Sequence, residues 1–251
     1  MADPFVLEAC VDSLESAVAA KEGGATRMEL CANLIIGGTT PALSLVRRAK
    51  QETGLPVHAL LRPRFGDFLY TREEFSMMME DAAALLENGA DAVVSGFLTA
   101  EGDLDVARLE PMVKLCHEAG KKFALHRAFD VCRDPFQALE QCKALGVDTI
   151  LTSGQKDTCA EGLPLLKELW GKKGSVELLL GSGVDADVIR QARQVLPEAR
   201  SFHMSGKKEV ESAMRYRKEE VSMGLPAFSE YIIWRTDPEK LREARKELMK
   251  S

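Results

Sequence analysis

The chain has 251 residues, a formal net charge of −6 at pH 7 and a pI near 5.4, a balance that argues against nucleic acid or an anionic membrane as the main partner. Its apolar runs are too short to cross a membrane, and its beginning lacks the basic and apolar regions of a signal peptide. We therefore expect a cytoplasmic protein whose six cysteines are reduced thiols.

Short apolar runs recur along the chain with the spacing of strands in a strand-helix repeat. Four of them follow small-residue turns, at 24–30, 89–96, 146–154 and 198–206. Four more lie between these, at 5–9, 57–61, 122–125 and 176–180. Eight strands that alternate with helices in a chain of this length predict a single-domain (β/α)8 TIM-type barrel over residues 1–251. This fold places its chemistry at the C-terminal ends of the strands.

Helical patterns follow the predicted strands. The spacing of Asp12 and Glu15 is that of a capping box at the start of the first helix. The other predicted helices span 42–51, 72–88, 105–117, 135–145, 162–170, 185–195 and 239–250. A longer connection, 205–237, carries Tyr216, Phe228, Tyr231 and Trp234. We expect this arm to pack on the barrel or to form an oligomer contact through 231–234, and a lid over the barrel is the alternative.

Polar residues lie near the ends of most predicted strands, where a barrel interior normally has aliphatic side chains. They are Glu8, Cys10, Arg27, Glu29, Cys31, His58, Arg62, Arg64, His126, Arg127, Asp130, Thr152, Ser153, His203 and Ser205. Alternate residues share a strand face, so Glu8 lies with Cys10, and Glu29 with Cys31. A buried network of acids and arginines brings little net stability, which favours a functional role. His58, early in its strand, is more typical of the core.

One chemistry that fits these residues is the binding and conversion of a small anion. Gly181 follows the seventh strand and Ser205-Gly206 the eighth, where barrels often hold phosphate. Candidate ligand-binding residues are Arg27, Arg64, Arg127, Ser153, Gly181, His203, Ser205 and Gly206. Candidate catalytic residues are Glu8, Glu29, Arg62, His126 and Asp130, with Glu8, Glu29 or His126 as general acid and base. The corresponding activity is that of a lyase or isomerase acting on a small phosphorylated or carboxylated metabolite.

The second chemistry is the binding of a soft metal ion. The pattern Glu-x-Cys occurs twice, ending in Cys10 and in Cys31 at the ends of neighbouring strands. Thiolates in a reducing compartment suit Cu(I), and Cys132 would add a third sulfur. The alternative is that free cysteines only pack, as we expect for Cys116 and Cys142 inside helices.

The chain resembles the copper homeostasis protein CutC family along nearly its whole length. The segments that carry the resemblance are 7–13, 27–31, 37–41, 62–68, 126–130, 151–154, 161–164 and 214–217. The resemblance implies a cytosolic TIM-type barrel, often oligomeric, that binds Cu(I) through Cys31 with Cys10 nearby. The polar pocket of the family maps onto Glu8, Arg27, Glu29, Arg62, Arg64, His126, Arg127, Asp130 and Ser153.

The chain departs from the family pattern at Phe65, at Ala32 and in 182–184, where glycine, serine and a glycine-rich run are usual. The arginines around the predicted site would repel a free cation, although they would favour thiolate forms of cysteine. Three functions therefore stay open: Cu(I) binding as the resemblance implies, an enzyme or binder for a small anionic metabolite, and a non-enzymatic oligomeric scaffold.

Overall fold

Eight parallel strands close into a barrel in this computed structural model, which describes residues 5–218, 220, 221, 223 and 228–250. The strands pair in chain order, and β8 pairs with β1 to complete the cylinder. They are β1 (Val6–Val11), β2 (Arg27–Leu30), β3 (Val57–Leu60), β4 (Ala92–Ser95), β5 (Lys122–Leu125), β6 (Thr149–Thr152), β7 (Glu177–Leu180) and β8 (Ser201–Met204). All eight predicted strands are confirmed.

Helices connect the strands and follow β8, which confirms the predicted (β/α)8 TIM-type fold. They are α1 (Leu14–Glu22), α2 (Leu43–Thr53), α3 (Arg72–Glu87), α4 (Val106–Glu118), α5 (Pro135–Leu145), α6 (Cys159–Trp170), α7 (Ala186–Val195) and α8 (Pro238–Met249). None of these helices has the length and apolarity that a membrane crossing requires within the part of the chain that the structure describes.

The predicted start of α1 is wrong by one residue, because Ser13 and not Asp12 is the N-cap. The backbone of Ser13 is extended, and its hydroxyl accepts a hydrogen bond from the Ser16 amide at 3.2 Å. The Asp12 carboxylate instead accepts from the amide of Leu34 at 3.2 Å. This bond connects the end of β1 to the loop after β2, at the C-terminal end of the barrel, which we call the mouth.

The long connection after β8 contains two strands that the sequence did not predict. The strands β9 (Lys207–Glu211) and β10 (Ile232–Thr236) form an antiparallel pair. The ring of Trp234 packs under Lys207 Nζ, 3.6 Å from the ring centroid, and edge-on against Phe228. Of the predicted arm, residues 219, 222 and 224–227 lie outside the described residues. Its role as an oligomer contact or lid stays a prediction.

The apolar core lies between the barrel and its helices. Outward-facing strand residues such as Leu7, Met28, Phe123 and Phe202 are fully buried there. The alternate positions of the same strands point into the barrel. Because the core between sheet and helices accounts for the apolar packing, polar side chains can occupy the interior.

Candidate functional site inside the barrel

Three basic side chains surround the carboxylate of Glu8 inside the barrel. Arg27 Nε donates to Glu8 Oε2 at 2.5 Å, and the ring nitrogen Nδ1 of His203 lies 2.8 Å from Oε1. His58 Nδ1 lies 3.4 Å from Oε2. Strand register explains the meeting, because Glu8 is the cross-strand partner of both Arg27 and His203. The glutamate is 1% exposed, so its carboxylate is shielded from bulk water.

A second carboxylate, that of Glu177 on β7, completes this network toward the N-terminal end of the barrel. Arg27 Nη1 donates to Glu177 Oε2 at 3.1 Å, and the hydroxyls of Thr149 and Ser201 donate to the same carboxylate at 2.8 and 2.7 Å. The sequence analysis did not single out Glu177. Alternate residues share a strand face, and Glu177 lies four residues before the predicted ligand residue Gly181. This spacing was the signal that could have found it.

The buried groups of this network have different proton affinities. Burial opposes the charged form of Glu8, yet Arg27 and His203 hold the pKa of its carboxyl well below the ordinary value. Burial likewise opposes the His203 cation, but Glu29, Cys10 and Glu8 raise its pKa well above the ordinary value. For Glu29, burial raises the pKa. For His58, burial lowers the pKa to about 4, so this imidazole is neutral. Neighbouring acids and bases with separated pKa values are suited to proton transfer.

The thiols of Cys10 and Cys31 lie together beside this network, nearer the mouth. Cys10 Sγ donates to Glu29 Oε1 at 3.5 Å, and Cys31 Sγ to the carbonyl of Val11 at 3.6 Å. The hydrogen bond with Cys31 and burial raise the pKa of the Cys10 thiol well above its ordinary value. One ligand atom each from Cys10, Glu29 and His203 lies within 4.8 Å of the others. Cys132 is not part of this group, because its sulfur lies against Gln155 at 3.5 Å.

Arg62 follows β3 and His126 follows β5 at the mouth. Both side chains contact Phe68. The guanidinium carbon of Arg62 is 5.3 Å from the Phe68 ring centroid, and the His126 ring centroid is 4.6 Å from it. His126 Nδ1 accepts from the Ala128 amide at 3.1 Å, which leaves the ring proton on Nε2. Burial and the nearby Arg62 lower the pKa of His126 to about 3, so the ring is neutral.

Asp130 has a different environment, because its carboxylate accepts hydrogen bonds from several neighbours at once. Donors are Thr152 Oγ1 at 2.6 Å, the amide and hydroxyl of Ser153 at 3.0 and 2.9 Å, the Gln155 amide at 3.3 Å and Arg127 Nε at 2.7 Å. The carboxylate thereby holds the loops after β5 and β6 together. The predicted residues Arg127, Asp130 and Ser153 thus form their own group.

The remaining predicted ligand residues do not join either group. Arg64 is paired with Glu74 at 2.6 Å and Asp67 at 3.1 Å outside the barrel. A Cβ on Gly181 would lie 2.5 Å from Leu151 Cδ1, so this glycine permits close packing of β7. The carbonyl of Gly206 accepts from the Asp237 amide at 2.8 Å, and the chain continues from Ser205-Gly206 into β9. A strand, not a helix N-terminus, therefore follows β8, and the phosphate site there stays a prediction.

The fold and this interior define a TIM-type barrel protein with buried ionisable groups and a pair of thiols near its mouth. The CutC family model matches residues 5–207. A CutC family protein of Bacteroides fragilis is 44% identical over 225 residues, which are 88% of this chain and 87% of that protein. The chain therefore belongs to the CutC family.

Two further relatives carry copper homeostasis in their names. The human copper homeostasis protein cutC homolog is 40% identical over 245 residues, 96% of this chain and 88% of that protein. A crystal structure described as a copper homeostasis protein CutC from Streptococcus agalactiae is 30% identical with a TM-score of 0.74. That match covers 80% of this chain and 98% of the other. The predicted family is thereby confirmed.

Proposed function

We propose that this chain binds Cu(I) through the thiols of Cys10 and Cys31 inside the barrel. The observation that carries the proposal is the placement of Cys10 beside Cys31, with Glu29 and His203 next to its sulfur. Thiolates are the ligands that select Cu(I) over harder ions. The names of the human and streptococcal relatives agree with a role in copper homeostasis.

The donor set fits a monovalent soft cation that is carried as cargo. The two thiols also pack against the apolar side chains of Leu60, Val94 and Ala124. Because only the thiolate binds metal, binding must release thiol protons, and affinity should rise with pH. His203 is near enough to supply an imidazole nitrogen or to balance the negative charge of two thiolates.

Three of the four arginines that the sequence placed around the site are paired with carboxylates, and Arg62 is the one of the four whose guanidinium donates only to backbone carbonyls in the described part of the chain. Arg27 is paired with Glu8 and Glu177, and Arg127 with Asp130. Arg64 is paired with Glu74 and Asp67 away from the interior. Paired charges screen one another at short range, so the repulsion of a cation is weaker than the count of arginines implies.

Anaerobic competition between the protein and a chromogenic Cu(I) chelator tests the proposal. We expect Cys10→Ser and Cys31→Ser each to weaken Cu(I) binding by more than about tenfold. Cys116→Ser is the matched control, because Cys116 is a fully buried thiol on α4. Unchanged affinity in both site variants would rule out the thiol site. The lyase or isomerase and the oligomeric scaffold stay predictions from the sequence.

A further inference from the structure

Arg62 is a buried cation that forms no ion pair with a carboxylate in the part of the chain that the structure describes. The side chain is 8% exposed. Its Nη1 donates to the carbonyls of Gly37 and Gly38 at 3.3 and 3.2 Å, and its Nη2 to that of Gly66 at 2.8 Å. Its Nε has no partner among the described residues. Burial of a charge without a counter-charge costs free energy, as does an unsatisfied donor. An anion beside Nε would offset both costs.

His126 has a second buried donor without a partner among the described residues, and its ring contacts Phe68 as Arg62 does. The side chain is 5% exposed, and Nδ1 is already used as an acceptor for the Ala128 amide. The proton therefore lies on Nε2, which finds no acceptor in the described part of the chain. The neutral state of this ring agrees with its pKa of about 3.

Both side chains contact the ring of Phe68, which lies between β3 and α3 in the chain. The backbone there is built to hold Arg62. Gly37 and Gly38 have φ values of +86° and +85°, which favour glycine, and their carbonyls accept from the guanidinium. A Cβ on Gly38 would lie 2.7 Å from Leu60 Cδ2. The two glycines thus allow the loop after β2 to reach Arg62.

We propose that Arg62 Nε–H and His126 Nε2–H bind the carboxylate of a small organic acid at the barrel mouth. The charge of the site selects a monoanion, since Arg62 brings one positive charge and His126 brings a donor without charge. Arg127, the next cation along the mouth, is already paired with Asp130. A phosphate dianion would leave one negative charge without a partner in a buried site.

This site goes beyond the proposed copper function and uses different side chains. Its failure would leave the thiol site untouched, and the reverse also holds. Cys10→Ser should therefore lose Cu(I) and keep the organic acid, whereas Arg62→Gln should lose the organic acid and keep a Cu(I) site that depends on Cys10. Each proposal can be overturned on its own.

Isothermal titration of the protein with acetate, pyruvate and inorganic phosphate tests the carboxylate site. We expect pyruvate or acetate to bind the wild type, and Arg62→Gln to weaken that binding by about tenfold or more. His126→Asn should have a similar effect, because the asparagine carbonyl can still accept from the Ala128 amide while the Nε2 donor is lost. Arg64→Gln is the control, since Arg64 is a paired arginine two residues along the same loop.

Three results would overturn the proposal: neither acid binds the wild type, both site variants bind as well as the wild type, or phosphate binds more tightly than both acids. A second measurement does not depend on the stability of the variants. In the wild-type protein, the NMR signals of Arg62 Nε–H and His126 Nε2–H should shift on addition of pyruvate. The Nε–H signal of Arg64 should stay in place, and a shift of Arg64 alone would also contradict the proposal.

Discussion

His203 Nδ1 lies 2.8 Å from Glu8 Oε1, and this contact joins the last strand of the barrel to the first. The two residues are direct cross-strand partners in the β1–β8 pairing that closes the cylinder. Since the pKa of His203 is raised and that of Glu8 is lowered, the pair is a charge-assisted hydrogen bond in a buried place. The same carboxylate also balances Arg27. Glu8 therefore connects barrel closure to the chemistry of the interior.

Glu8→Gln should lower the free energy of unfolding by about 3–5 kcal/mol near neutral pH, because it leaves two buried cations with one counter-charge fewer. The lowered pKa of Glu8 fixes the direction of the pH effect. The stabilisation by Glu8 is complete above its ordinary value of 4.5 and is lost as the pH falls below it. Urea unfolding of both proteins at neutral and acidic pH measures this. Glu110→Gln, an exposed change on α4, is the control, and an equal loss there would contradict the argument.

His58 should make the folded protein sensitive to mild acid. Burial lowers its pKa to about 4, while the unfolded chain takes up the proton below about 6.5. Between these values His58 is protonated only in the unfolded state. The free energy of unfolding therefore decreases as the pH is lowered from about 6.5 to about 4, by a total on the order of 3 kcal/mol. His58→Gln should remove this slope whatever it does to stability at neutral pH. The free energy of unfolding across this window measures it, and parallel curves for the two proteins would contradict the prediction.

The variant Asp130→Asn tests whether this predicted catalytic residue stabilises the folded structure. Asp130→Asn replaces a charged acceptor by an amide whose NH2 group would face donors from Ser153, Thr152 or Arg127. We expect a loss of about 3 kcal/mol in the free energy of unfolding. Asp157→Asn, an exposed change in the loop after β6, should have little effect. Wild-type stability in Asp130→Asn would show that the hydrogen bonds around this carboxylate do not hold the loops.

The barrel could be predicted from the sequence because strand spacing and apolar runs are local signals. The unpredicted hairpin shows where such signals stop. All five residues of β9, Lys207–Glu211, are exposed, so its sequence has no buried face and no apolar alternation. The predicted start of α1 was wrong for a related reason. Asp12 and Ser13 are adjacent and either can cap a helix, and the backbone conformation determines which of them is the N-cap.

For the interior, alternation along a strand correctly places Glu8, Arg27 and Glu29 in one network. What alternation does not give is the pairing of charges across the barrel. Arg64 lies two residues after Arg62, yet its partner Glu74 belongs to the first turn of α3 and draws it outside. Arg62 is held instead by carbonyls of the loop after β2, whose path no local pattern reveals.

Gly162→Ala should strongly destabilise the barrel through a contact between α6 and the end of β6. A Cβ at Gly162 would lie 1.7 Å from the carbonyl oxygen of Ser153, which is backbone and cannot swing away. We expect a loss of about 3 kcal/mol or more in the free energy of unfolding, since α6 must move off β6. Gly171→Ala at the end of the same helix is the matched control. Its backbone is helical and the nearest atom to a Cβ is 3.7 Å away, so its effect should stay within about 0.5 kcal/mol. Urea unfolding of both variants decides the matter, and similar stabilities would show that the contact at Ser153 has room for a methyl group.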